Sequence, residues 1–261
     1  MPDDLVVRAF DRGVHTLRLN RPAARNALNI ALATALADCV SEAERDPGVR
    51  VLVVCGLADA FSVGGDLKEA HATGSIGEYL RTLTLPFHRA VHTLLTMPKP
   101  VVTVVDGVAA GGGFSLALAG DVRVGSRDAW YKLAYPAAGL PPDGGMTYLL
   151  PRIVGRARAQ EIFFTDPRIA SDDAARLGIL HRVFPREALV AEVAALTQRL
   201  ADAPARALGM TKLLLLKGLT ADLALHLDDE REAISRGGAL PEGREGIAAF
   251  VEKRPPRFRS G

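Results

Sequence analysis

Two short apolar-rich runs, Leu5–Phe10 and Val14–Leu19, flank the turn Asp11-Arg12-Gly13, and this spacing predicts a β-hairpin. From residue 30 the period changes. Ile30, Ala33, Ala37 and Val40 share one helical face, Asn29 is suited to cap it, and Asp46-Pro47-Gly48 stops it near Arg45. Val49–Cys55 is a continuous run rich in valine, the pattern of a strand buried on both faces. A glycine-containing loop at Ser62–Gly65 and a helical segment to about Met97 follow, and Pro98 and Pro100 end that segment. Val101–Val105 is a second buried strand. The run Gly111-Gly112-Gly113 then opens a short apolar helix to Ala119, and Val122–Gly125 and Arg182–Phe184 are weaker strands.

After Phe184 the pattern becomes helical: Arg186–Ala201, Pro204–Lys217, Ala221–Ser235 and Pro241–Lys253, with Pro204 and Pro241 suited to first turns. Alternating strands and helices predict an α/β core over residues 1–200, and residues 201–261 form a helical region. A helical set that small buries too little surface alone, so it is expected to pack on the core or on a partner subunit.

Composition narrows the class. Of 261 residues, 48% are hydrophobic and 24% charged, which excludes a disordered or collagen-like chain. The 32 basic and 30 acidic residues nearly cancel, so charge gives no case for nucleic acid. No stretch approaches the ~18 uninterrupted apolar residues of a membrane helix. The N-terminus, MPDDLVVRAF, is acidic and carries no signal-peptide pattern, so a cytoplasmic location away from membranes is expected. Cys39 and Cys55 stand apart without a CxxC pair and read as reduced thiols. No metal-ligand pattern is present, and no cofactor is expected.

The two glycine loops are the first candidates for chemistry. Each follows a buried strand and opens a helix: Gly64-Gly65-Asp66-Leu67-Lys68 and Gly111-Gly112-Gly113. Backbone N–H groups at a helix start lack internal partners and favour negative charge. Two such sites facing each other would hold a phosphate or a developing oxyanion, whereas each loop alone also reads as a packed turn. Neither matches G-x-G-x-x-G or a P-loop.

Five blocks, RPAARNALN (21–29), AFSVGGDLKEA (60–70), DGVAAGGGFSLALAGD (106–121), GLPPDGGMTYLLPRIVG (139–155) and EGIAAFVEKRPPRF (245–258), occur in order. Together they resemble the enoyl-CoA hydratase/isomerase family, the crotonase superfamily. The resemblance implies a spiral of strand-strand-helix turns and a C-terminal helical region that assembles homotrimers or homohexamers. It implies an acyl-CoA substrate whose thioester oxygen sits between two backbone N–H groups, here at Gly65 and Gly112. Coenzyme A would belong to the substrate and contact Ala23, Arg25 and Ala27, the stretch Gly64, Asp66, Leu67 and Lys68, and Lys253. Gly120 stands where the family usually has a small side chain, a departure expected only to loosen packing.

The family's hydratases use two glutamates, and the matching positions here are Ser115 and Tyr135. Both are expected to contact the substrate. Neither is a useful general base at neutral pH. Asp143, in Gly139-Leu140-Pro141-Pro142-Asp143, stands where the family's isomerases often carry an acid. One carboxylate that takes a proton from one carbon and returns it to another supports a double-bond shift, so isomerase is the preferred reading. A helix cap is the alternative role for Asp143. Hydration with another means of activating water, and non-catalytic acyl-CoA binding, are the alternative functions. A serine hydrolase using Ser115, from Gly113-Phe114-Ser115, is the more distant one. Phe87, Trp130, Tyr131, Tyr135 and Tyr148 are candidates to line an acyl pocket or to be core. His71, His88 and His92 are either helix-face residues or look into that pocket.

Overall fold

A computed structural model describes residues 4–57 and 59–259. The hairpin forms as its sequence predicts, from β1 (Val6–Asp11) and β2 (Val14–Leu19). Helix α1 (Ile30–Arg45) follows, and the Asn29 side chain accepts the Leu32 N–H at 2.9 Å as its cap. Three turns of strand, strand, helix come next. The first is β3 (Val51–Gly56), β4 (Ala60–Ser62), then α2 (Leu67–Ala72) and α3 (Ile76–Thr96). The second is β5 (Val101–Val105), β6 (Val108–Ala110) and α4 (Gly112–Leu118). The third is β7 (Val122–Ser126), β8 (Trp130–Lys132), α5 (Met146–Val154) and α6 (Arg156–Thr165). Then come β9 (Ile169–Ala170), α7 (Ser171–Arg176) and β10 (Arg182–Phe184). The expected spiral is present.

The first strand of each turn joins a six-stranded sheet of order β1-β2-β3-β5-β7-β10. From β2 onward its neighbours run parallel. Its valine-rich central strands are covered on both faces. Leu52, Val54, Val101 and Val105 enter the main core with Leu32, Leu36 and Leu94 from α1 and α3. Val51, Val53, Val102 and Val104 pack instead against Leu189 and Leu196 of α8 (Arg186–Asp202). That is why these strands read as almost wholly apolar runs rather than alternating ones.

The second strand of each turn joins a four-stranded sheet, β4-β6-β8-β9, that the apolar pattern did not predict. Its strands have two or three residues, too few for a period to show. Helices α6 and α7 also went unpredicted, and the helical segment to Met97 is two helices separated at Thr73–Ser75. The C-terminal region is helical as expected: α9 (Ala205–Gly218), α10 (Leu223–Ala239) and α11 (Pro241–Glu252). Arg50 ties it to the core through the carbonyls of Ala201 and Ala203 and the carboxylate of Glu242. Lys212 of α9 reaches Asp121 at 2.8 Å.

Gly120 corrects one expectation. A Cβ there would stand 2.5 Å from Thr103 Oγ1 and 2.9 Å from Thr103 N. The absent side chain draws the end of α4 tightly against β5 and does not loosen the packing. The Thr103 hydroxyl then donates to the Ala117 carbonyl at 2.7 Å. Burial pushes both cysteine thiols up, consistent with packed rather than reactive sulfur.

Candidate active site

Parallel pairing brings three loops side by side. Strands β4, β6 and β8 run in the same direction, so their C-terminal ends lie together, and the segments that follow them carry Gly65, Gly112 and Tyr135. All three line one cavity of about 260 Å³. Its walls are apolar: Leu28, Leu67, Leu80, Leu83, Phe87 and Leu140 among them, with Asp143 as the carboxylate. An acyl group fits such a space better than a charged metabolite does.

The first loop is held by backbone pairing. Leu28 N donates to Gly64 O at 2.7 Å and Asp66 N to Leu28 O at 2.8 Å, which leaves Gly65 N without an acceptor among the described residues. Gly112 N, at the first position of α4, likewise has none. Two N–H groups without acceptors among the described residues, both on the lining of one apolar cavity, can donate to a negatively charged oxygen.

Asp143 is cradled by Tyr135 and Ser115. Tyr135 Oη donates to Asp143 Oδ1 at 2.7 Å, and Ser115 Oγ donates to the Asp143 carbonyl at 2.8 Å. The two hydroxyls are 3.2 Å apart. Burial, then the Asp143 charge, pushes the Tyr135 phenol far above the ordinary tyrosine range, so it stays a donor. His88 Nε2 stands 3.1 Å from Asp143 Oδ2.

Several predicted residues fall elsewhere. Ser115 is fully buried and does not line the cavity; its hydroxyl serves Asp143, and among the described residues no histidine bonds to it, so no hydrolase dyad forms there. The Asp66 side chain pairs with Arg21 at 2.8 Å and caps α2 through the Glu69 N–H. Burial alone would raise its carboxyl, but the Glu69 N–H and the Arg21 guanidinium hold it below the usual range. Leu67 lines the cavity, whereas Lys68 is exposed beside it. Ala23 and Arg25 are exposed and Ala27 is buried, all on the loop that abuts the first glycine loop: Val63 N donates to Arg25 O at 3.3 Å. Lys253 ends α11, exposed and away from the cavity lining. Of the aromatic candidates, Phe87 and Tyr135 line the cavity. Tyr131 is core, Arg168 lies over Trp130, and Arg152 lies over the exposed Tyr148. His71 and His92 are exposed helix residues.

Two residues were missed. Arg21 bridges Asp66 and the Ala27 carbonyl. Buried Asn26 bonds the carbonyls of Leu57 and Ala60, and Ser62 bonds its own carbonyl in return. Both lie in RPAARNALN, where a charged and an amide side chain between apolar positions were the available signal. The role of His88 had no signal in sequence, because its partner is 55 residues away.

Comparison with known proteins agrees with this architecture. Residues 9–261 match the enoyl-CoA hydratase/isomerase family. The chain is 35% identical over 257 residues to the 1,2-epoxyphenylacetyl-CoA isomerase of Escherichia coli, covering 98% of each. It is 30% identical to 4-chlorobenzoyl coenzyme A dehalogenase-2 of an Arthrobacter species, covering 92% of this chain and 88% of that one. A crystal structure of an enoyl-CoA hydratase from Mycobacterium smegmatis superposes with a TM-score of 0.92 at 33% identity, covering 98% of this chain and 99% of that one. With the spiral, the facing glycine loops and these matches in agreement, the chain belongs to the enoyl-CoA hydratase/isomerase family.

Proposed function

We propose that the protein is an acyl-CoA isomerase that shifts a double bond with Asp143 as its acid/base. The observation that carries this reading is the Tyr135–Asp143–Ser115 cradle, in which both positions of the hydratase glutamates hold a single carboxylate. The thioester oxygen of a 3-enoyl-CoA accepts hydrogen bonds from Gly65 N–H and Gly112 N–H. Asp143 takes a proton from C2, the electron pair moves onto the thioester oxygen, and the dienolate is held by the two donors. Asp143 then delivers a proton to C4, which moves the double bond from 3,4 to 2,3. Coenzyme A is carried by the Ala23–Ala27 loop and the stretch after Gly65, with Lys253 contributing from an adjacent subunit. Exposed apolar side chains on the C-terminal helices, Phe250 at 86% and Ile234 at 77%, support a homotrimer or homohexamer.

The test is incubation of wild type and Asp143→Asn with a 3-enoyl-CoA. Asp143→Asn is expected to bind the ester and to lose isomerisation by at least ~10²-fold. Efficient hydration of crotonyl-CoA by wild type would instead favour a hydratase. Binding without any proton exchange at C2 would identify a non-catalytic member.

The His88 contact favours a second reading. The Asp143 carboxylate attacks the ring carbon of a halogenated aryl-CoA, halide leaves, and an aryl ester forms; His88 takes a proton from the water that cleaves it. A substrate of this kind is named for the Arthrobacter relative. Halide release from 4-chlorobenzoyl-CoA, abolished in Asp143→Asn, would decide for it.

A further inference from the structure

The two oxygens of Asp143 are not equivalent. Oδ1 receives the Tyr135 hydroxyl at 2.7 Å, and that phenol keeps its proton. Oδ2 faces His88 Nε2 at 3.1 Å. The same Nε2 also lies 3.2 Å from the Gly144 N–H. One ring nitrogen therefore stands between a donor and a carboxylate. An imidazole nitrogen that carries a proton donates, and one that carries a lone pair accepts. With Nε2 protonated, His88 donates to the ionised carboxylate. With Nε2 bare, it accepts from Gly144 N–H or from a protonated Asp143. The tautomer of His88 and the charge of Asp143 are thus coupled.

The far side of the ring completes the path. His88 Nδ1 has no protein hydrogen-bond partner among the described residues, and the side chain is 52% exposed against 30% for Asp143. Phe87, its neighbour on α3, lines the cavity, so His88 sits on the outer edge of the same wall.

We propose that His88 is a positioning residue that also relays a proton between Asp143 Oδ2 and solvent, so that the proton taken from substrate exchanges with water before it is returned. The inference rests on the isomerase reading. The step is balanced: protonated Asp143 passes its proton to bare Nε2 while Nδ1–H passes one to water, and the reverse movement delivers a solvent proton to the carboxylate. No electron pair is gained or lost.

The experiment is isomerisation of a 3-enoyl-CoA in heavy water, with deuterium at C4 of the product read by mass spectrometry. Wild type is expected to place solvent deuterium at C4 in most turnovers. His88→Gln keeps a donor toward Asp143 and cannot relay. Its product is expected to carry several-fold less deuterium, while turnover falls far less than the ~10²-fold that follows loss of the acid/base itself. His88→Ala is expected to show the same loss, and added imidazole is expected to restore deuterium incorporation, which a purely structural role would not do. Wild-type product that retains the substrate proton overturns the relay alone, as does undiminished deuterium in both variants. Wild type that neither isomerises nor exchanges at C2 overturns the functional reading itself.

Discussion

Gly64 leaves no room for a side chain between itself and Gly112: a Cβ there would lie 3.1 Å from Gly112 N and 2.9 Å from the Ala110 carbonyl. Its φ of +94° is also one that side-chain-bearing residues rarely adopt. The spacing of the two proposed oxyanion donors is therefore set by a missing methyl group. Gly64→Ala is expected to push the loops apart and lower kcat/KM by ~10² or more, the scale of one lost oxyanion donor. Kinetics with circular dichroism checks this, and a folded variant of unchanged activity would place the donors elsewhere.

Tyr135→Phe removes the hydrogen bond to Asp143 Oδ1 and keeps the buried ring. A hydrogen bond to a charged group is worth about 1.5–3 kcal/mol, so kcat is expected to fall roughly tenfold or more with KM little changed. If KM rises instead and kcat holds, Tyr135 contacts the substrate and does not set the carboxylate.

The Lys212–Asp121 pair offers a test of stability. Burial pushes Asp121 up and Lys212 down, with each partner's charge opposing the shift. An acid raised by folding lowers stability as pH rises through that range, and a lysine lowered by folding lowers it as pH falls. The ionised pair is therefore costly to bury, and breaking it costs more. Lys212→Met is expected to lose about 3–5 kcal/mol by leaving Asp121 unpaired. Adding Asp121→Asn, which keeps an acceptor for Val101 N–H, is expected to recover part of that loss in denaturant melts. Strict additivity of the two changes would show that the charges do not couple.

Assembly is testable by light scattering. The C-terminal helices expose Phe250, Ile234, Val251, Leu223 and Leu215, an apolar surface that a stable subunit interface would cover. Wild type is expected as a trimer or hexamer. Ile234→Glu with Phe250→Glu is expected to yield monomer and a lower Tm. A monomeric wild type at micromolar concentration would contradict the assembly.

The sequence by itself determined the elements whose stability is local or whose burial is complete. Val51–Gly56 and Val101–Val105 are legible because both faces are covered, so nearly every position is apolar, with only the buried Thr103 as a polar side chain. Helix α1 is legible through its Asn29 cap, and the C-terminal helices through their prolines and period. The two glycine loops and the lone acid Asp143 were visible as residues in a familiar order. Only the tertiary structure decided how they meet. The second sheet has strands of two or three residues, which no pattern reveals, yet its parallel register sets Gly65, Gly112 and Tyr135 around one cavity. Ser115 looked like a substrate contact and is instead a buried donor to the Asp143 carbonyl. His88 meets Asp143, and Arg21 meets Asp66, across separations that leave no trace in local spacing. Caps, turns and apolar periods act over a few residues and are written into the chain. The direction of a side chain within a pocket depends on every element packed around it, and that is settled only when the sheets close.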